Sequence, residues 1–106
     1  MKRPNTAKTY PGINNDMDGG MTNIGKIILD ARVFGILPET ETCEGWNIAR
    51  LEAINQQVND EWDKYSCMIG NLPDELRARH KQIYDQAIAQ AKQKGWNPDD
   101  VTNEDD

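Results

Sequence analysis

Residues 46–70 carry the longest uninterrupted helical pattern in this chain, and every other segment must be placed relative to it. Steps of three and four residues, taken alternately, select positions that are apolar or aromatic with one exception, Asn55. That spacing is typical of a helix with one narrow buried face, or seam. We therefore predict a helix over 46–70, with Gly70 and Asn71 suited to its C-cap. The seam consists of Ile48, Leu51, Asn55, Val58, Trp62, Tyr65 and Ile69.

A second helical pattern occupies residues 22–36 and is apolar on two sides. Thr22 or Asn23 can accept the capping hydrogen bond at its start, and a proline follows its end. The alternative interpretation of this segment is a pair of short strands over 27–29 and 32–37.

A helix that is apolar on two sides is normally enclosed in a core. A domain of this size forms only a small core, which is marginal on its own, so we expect three helices to leave part of this surface uncovered. The surplus predicts a homodimer. Gly25 and Gly35 each weaken the helix by about 1 kcal/mol relative to alanine, and we interpret them as points of close approach by a neighbouring backbone.

The third helical pattern covers residues 73–94. Pro73 suits the first helical position, and the acidic residues after it match the positive end of the helix dipole. Gly95 marks the stop, and Trp96 is expected to fold back on the last turn. Because only a few residues separate the helix over 46–70 from the helix over 73–94, we expect these two helices to form an antiparallel hairpin. The apolar stripe of the third helix is Leu76, His80, Ile83, Tyr84, Ala87, Ile88 and Ala91.

These patterns predict an all-α fold, a three-helix bundle built on a long antiparallel helical hairpin. The N-terminal residues are rich in turn-forming types without periodicity, which indicates an extended, flexible arm. Tyr10, Ile13 and Met17 are the candidate contacts between this arm and the core. The acidic C-terminal tail is expected to be disordered. The predicted organisation is an arm over 1–21, a helical domain over 22–96 and a tail over 97–106.

The net negative charge of the chain disfavours negatively charged binding partners. Eighteen acidic residues oppose twelve basic ones, for a net charge of −6, whereas nucleic-acid binders carry a basic excess on at least one face. Binding to nucleic acid or to an anionic membrane surface is therefore disfavoured. Two cysteines without a CxxC motif do not make a disulfide framework, and no export or membrane-spanning pattern is seen. We expect a cytoplasmic protein.

Asn14, Asp16, Asp18 and Gly19 have the spacing of part of an EF-hand calcium loop. Gly25 occupies the position at which such a loop normally supplies a bidentate glutamate, and no helix precedes the segment. We therefore predict no metal or cofactor and interpret the segment as a turn before the first helix. A calcium site is the alternative.

Two residues could carry chemistry individually. If Thr42 caps the helix predicted over 46–70, Cys43 lies in the first turn of that helix, where the helix dipole would lower the thiol pKa. The charges of the neighbouring glutamates oppose this effect. We therefore prefer to interpret Cys43 as a thiol without a chemical role. His80 lies at the centre of the third helix's stripe, where a neutral imidazole could serve as a base. A core histidine with a hydrogen-bond partner is preferred there.

Asn55 is the polar residue of the seam. A buried asparagine at such a position fixes the register of paired helices, and we assign it that role in a dimer. The alternative is that Asn55 lies at the edge of the seam and reaches water.

No recognised catalytic motif occurs in the sequence. We therefore predict a small cytoplasmic protein-interaction or regulatory protein without catalytic activity, acting on a protein partner through an apolar and aromatic helical surface. The candidate contact residues are Phe34, Trp46 and Trp96, although a core role for the tryptophans is the first interpretation. The alternative function is an enzyme or small-ligand-binding protein with an interhelical pocket around Tyr65, His80 and Tyr84.

Overall fold

The computed structural model describes residues 9–97. Within this range the chain forms three α-helices and no strand, so the all-α prediction is confirmed and the strand alternative is wrong. Helix α1 packs against both α2 and α3. The predictions for the first eight residues and for the acidic tail after Asn97 fall outside the described part of the chain. The elements are a 3-10 helix at Ile13–Asn15, α1 at Asn23–Val33, α2 at Ile48–Asp63, a second 3-10 helix at Ile69–Asn71, and α3 at Asp74–Gln93.

Helix α1 begins as predicted and ends early. The Thr22 hydroxyl accepts a hydrogen bond from the backbone N–H of Gly25 at 3.0 Å, which is the N-cap interaction. The helix ends at Val33 instead of residue 36, because Gly35 adopts a φ of 74° and the chain turns back. The N–H of Ile36 then donates to a carbonyl of the last turn at 2.8 Å, as in other glycine-terminated helices.

Helix α2 is shorter than predicted at both ends. Its N-cap is Asn47, whose side-chain oxygen accepts from the Arg50 N–H at 2.9 Å; no threonine caps it. It ends at Asp63 and not at residue 70, because Ser66 and Cys67 adopt φ values of 54° and 57°. A left-handed residue that ends a helix is usually glycine. Because serine and cysteine have this conformation here, the residue types did not indicate that α2 ends before Gly70.

The buried face of α2 differs from the predicted seam. Leu51, Ile54 and Val58 are its buried residues, whereas Ile48 is 58% exposed. A straight helix advances about 100° per residue, so its buried face drifts from a strict heptad seam. The seam prediction was therefore wrong at Ile48 and missed Ile54. Asn55 lies half-buried beside this face.

Helix α3 follows its prediction closely. Asp74 is its first residue, directly after Pro73, and acidic side chains occupy its first turn. At the other end Gly95 adopts a φ of 100°, and the N–H of Trp96 donates to the Ala91 carbonyl at 3.0 Å. The indole packs against the core, as expected for this ending. All seven residues of the predicted stripe are buried or half-buried, so that prediction is confirmed.

Residues 9–22, the described part of the segment before α1, contribute side chains to the core. The side chains of Tyr10 and Ile13 are 7% and 8% exposed and form part of the core. Their N–H groups donate to the carbonyls of Trp46 and Thr42, each at 2.9 Å. The predicted contacts of Tyr10 and Ile13 are confirmed; that of Met17 is wrong, because its side chain is 88% exposed.

The two apolar sides of α1 are mostly covered by the rest of the same chain. Ile28, Leu29 and Val33 are at most 1% exposed, and Ile27 and Phe34 are half-buried. Helix α1 is thus the element that packs against both other helices, whereas the sequence analysis had placed every segment relative to the helix over 46–70. It does not present the large uncovered surface from which a dimer was predicted.

Candidate functional site

One carboxylate connects all three helices. Asp30 of α1 accepts a hydrogen bond from the Trp62 indole N–H of α2 at 3.2 Å. Its other oxygen accepts from the Tyr84 hydroxyl of α3 at 2.5 Å. Hydrogen bonds to a charged acceptor are stronger than neutral ones. Asp30 is therefore a structural junction, and the sequence analysis did not identify it because helical periodicity does not reveal the distant partners of a polar residue.

Five ring-bearing residues form a continuous aromatic cluster around this junction. The rings of His80 and Tyr84 stack with centroids 4.4 Å apart, and Trp62 meets His80 edge-on at 6.1 Å. Phe34 contacts Trp62 edge-on at 5.2 Å and lies parallel to Tyr65 at 6.4 Å. The sequence-predicted pocket residues Tyr65, His80 and Tyr84 are thus brought into one cluster, joined through Phe34 and Trp62.

The two ionisable rings that stack in this cluster, His80 and Tyr84, both have shifted pKa values that favour their uncharged forms. Burial lowers the pKa of His80, partly offset by the nearby Asp30 carboxylate, so the imidazole is neutral at pH 7. Burial together with Asp30 raises the pKa of Tyr84 well above its ordinary value, so the phenol keeps its proton. A general base must lie within hydrogen-bond reach of a substrate proton. Neither residue lines the cavity between α1 and α3 or the cavity beside Glu75 and Gln82 on α3.

An exposed apolar patch begins at the outer end of this cluster. We define it as Phe34, Tyr65, Met68 and Ile69. Met68 and Ile69 are 58% and 48% exposed, and the Phe34 and Tyr65 rings are half-buried. The chain turns sharply here, with the Met68 N–H donating to the Tyr65 carbonyl at 3.1 Å. Sequence reasoning missed Met68 and placed Ile69 on a buried seam, because it continued α2 through this turn.

The three predicted contact residues have different surroundings. Trp46 is only 9% exposed and belongs to the core, with the Arg50 guanidinium 3.7 Å above its ring. Trp96 is half-buried against the end of α3. Phe34 alone of the three belongs to the apolar patch. The surroundings of Trp46 agree with a core role, which was the first interpretation of the tryptophans.

The Asp16 carboxylate is buried and accepts hydrogen bonds from groups of the same chain. Asp16 is 7% exposed and accepts hydrogen bonds from the Tyr10 hydroxyl at 2.6 Å, from the Thr22 hydroxyl, and from the Asp18 N–H at 2.9 Å. No group of three histidine, cysteine, aspartate or glutamate residues within 9–97 is arranged to hold a metal ion. Both oxygens of Asp16 accept hydrogen bonds from groups within residues 10–22, which agrees with the turn interpretation of this segment.

Cys43 lies in the loop before α2, with a φ of 62° and no exposed surface. Burial, together with the charge of Glu41, raises the pKa of its thiol to about 11. The condition for a pKa lowered by a helix dipole, a helix capped by Thr42, is not met, because α2 starts only after its N-cap Asn47. Cys43 is a protonated core thiol, and Cys67 is the exposed one.

Within residues 9–97, no helix is both long enough and apolar enough to cross a membrane. Comparison of the chain with protein-family models, with curated proteins and with solved structures finds no match in any of the three. The function of this protein is therefore inferred from its residues and their geometry.

Proposed function

We propose that this chain is a small protein-interaction or regulatory protein without catalytic activity, and that it contacts its partner through the apolar patch. The observation that carries this proposal is the exposure of Met68 and Ile69, at 58% and 48%, next to the stacked rings of Phe34 and Tyr65. Grouped exposed apolar residues mark contact sites, and methionine and aromatic residues are enriched in interface cores.

Grouping distinguishes the patch from ordinary exposed apolar residues. Met17 and Ile48 are 88% and 58% exposed, but neither belongs to the patch, and apolar residues scattered singly over a surface are normal. Exposed charges of both signs, Asp63 and Lys64, directly precede Tyr65 of the patch in the chain. An apolar centre with a polar rim is the usual anatomy of a protein interface.

The proposed first partner is a second copy of this chain. A symmetric dimer places the same patch on both subunits, and methionine adapts to an irregular facing surface. Because the rim carries both signs, two copies would not confront only like charges despite the net charge of −6. The dimer is proposed to act in the cytoplasm, with the patch at the turn of a hairpin formed by antiparallel α2 and α3.

Sedimentation equilibrium over a wide concentration range tests this proposal. We expect the wild-type protein to dimerise reversibly and Ile69→Glu to weaken the dimer at least about tenfold, since it places a charge in the interface centre. Met17→Glu is the matched control, because it adds the same charge at a more exposed position outside the patch. It should leave the dissociation constant unchanged.

Two results would count against the proposal. A wild-type protein that remains monomeric at millimolar concentration would remove the homodimer. If pull-downs from the native host then recovered the same proteins with wild type and with Ile69→Glu, the patch would have no role in any protein contact.

A further inference from the structure

A cavity of about 370 Å³ lies between α1, α3, the segment before α1 and the loop after it. Its volume falls within the range of about 300–1,000 Å³ that is common for small-molecule sites. None of the residues of the apolar patch or of the aromatic cluster lines it. The lining residues that bear on its chemistry are Arg32, Glu39, Ile83, Gln86, Gln90 and Lys94.

The charges around this cavity favour an anion. Glu39 is its acidic lining residue, and its carboxylate already lies 3.3 Å from the Arg79 guanidinium. Among the described residues, neither Arg32 nor Lys94 forms a salt bridge with a carboxylate. The Lys94 ammonium donates to the Asn14 backbone carbonyl at 2.7 Å, a neutral acceptor. An acidic chain therefore presents two cations without a paired carboxylate in the lining of one cavity.

Arg32 is the less compensated of the two cations. One of its terminal nitrogens donates to the Glu41 backbone carbonyl at 2.7 Å. Its Nε is sealed from solvent and has no acceptor among the described residues. Burial lowers the pKa of this guanidinium, although neighbouring acidic groups oppose the effect. A partly buried cation of this kind is stabilised by a nearby negative charge.

The α3 side of the cavity is suited to an organic molecule. Gln86 and Gln90 are one turn apart on α3 and both line the cavity, so their amides offer donors and acceptors on one side. Ile83 contributes an apolar surface between them and the core. An inorganic ion would leave these groups unused.

We propose that this cavity binds a small organic carboxylate, with Arg32 and Lys94 attracting the carboxylate and the amides of Gln86 and Gln90 binding its other polar groups. A carboxylate is favoured over a phosphate ester because Glu39 also lines the cavity and would oppose a second negative charge. This site is independent of the proposed protein contact, since it shares no residue with the apolar patch.

Isothermal titration calorimetry on the full chain tests the site, with succinamate and lactate, which each carry a single carboxylate, as probes and succinamide and inorganic phosphate as comparisons. We expect saturable binding of at least one carboxylate and none of the uncharged succinamide. Lys94→Gln and Arg32→Gln should each weaken that binding at least about tenfold, because each removes one of the two charges. Lys92→Gln removes the same charge from an exposed position on α3 outside the cavity, and it should bind as wild type does.

Lys94→Gln keeps the test valid if Arg32→Gln fails to fold, because Lys94 is exposed. In ¹⁵N NMR spectra, the side-chain amides of Gln86 and Gln90 should shift on adding the carboxylate. The site would be overturned by the absence of saturable binding to either carboxylate, or by equal losses in Lys92→Gln and Lys94→Gln. Tighter binding of phosphate than of both carboxylates would overturn the assigned ligand class.

Discussion

Among the described glycines, Gly25 has the least space for a side chain. A Cβ at this position would lie 2.1 Å from the carbonyl oxygen of Gly20, so the predicted close approach of a neighbouring backbone is confirmed here. The same prediction was wrong for Gly35, which faces open space and is required instead by its positive φ. Because the atoms near Gly25 are backbone, Gly25→Ala should lower the free energy of unfolding by about 3 kcal/mol.

Urea denaturation measures this difference, and Gly70→Ala is its control. A Cβ at Gly70 meets no atom within 4 Å, and this residue does not have a positive φ. The control should change the free energy of unfolding by less than about 0.5 kcal/mol. Similar losses for the two variants would contradict the proposed clash.

The two thiols should react at very different rates. Cys43 is fully buried with its pKa raised to about 11, whereas Cys67 is exposed. Because the thiolate is the reactive form, a thiol reagent such as Ellman's reagent should modify one cysteine quickly in the folded protein and the second only after denaturation. Cys67→Ser should abolish the fast phase, and Cys43→Ser should retain it. A fast phase that survives in Cys67→Ser would refute this assignment.

Asp16 should make stability depend on pH at the acidic end. Burial by itself would raise the pKa of Asp16, but hydrogen bonds from Thr22, Tyr10 and two backbone N–H groups outweigh it and lower the pKa below its usual 3.8. A carboxylate with a depressed folded-state pKa contributes stability above its unfolded-state pKa, and that stability is lost as the pH falls through the folded-state value. Asp16→Asn should therefore cost about 2 kcal/mol at neutral pH.

Denaturation at a series of pH values checks this prediction. The difference between wild type and Asp16→Asn should be constant above about pH 5 and shrink as the pH falls below about 4. A difference that stays the same down to about pH 2 would mean that the charge of Asp16 contributes nothing.

Among the elements, the junction at Asp30 should couple the three helices energetically. Tyr84→Phe removes one hydrogen bond to the carboxylate, and Asp30→Ala removes both. We expect losses of about 1 and 2 kcal/mol in the free energy of unfolding, with the double variant losing about 1 kcal/mol less than their sum. Tyr65→Phe is the control, since it keeps the ring stacked on Phe34. Additive losses would show that the Asp30–Tyr84 bond contributes little.

For the molecule as a whole, dimerisation should make thermal stability depend on concentration. Binding that favours the folded state raises the melting temperature with protein concentration. We expect a rise of roughly 5 °C over a hundredfold increase in wild-type concentration. Ile69→Glu should lose this dependence and Met17→Glu should keep it. A wild-type melting temperature that does not change with concentration would contradict a dimer that stabilises the fold.

The sequence by itself determined the features that depend on neighbours in the chain. The cap at Thr22, the ending at Gly95 with Trp96 folded back, and the buried stripe of α3 all match the structure. Each requires only groups within about one or two helical turns of each other, so residue type and spacing are sufficient. The all-α class follows from the same local periodicity.

Only the tertiary structure decided where α2 ends and which polar groups meet. Ser66 and Cys67 adopt left-handed conformations that their side chains do not favour. Asp30 meets Trp62 and Tyr84 across 32 and 54 residues of chain. Such contacts depend on how α1 packs against both other helices at once. The physical reason is that burial and long-range hydrogen bonding together outweigh the local preference of any single residue.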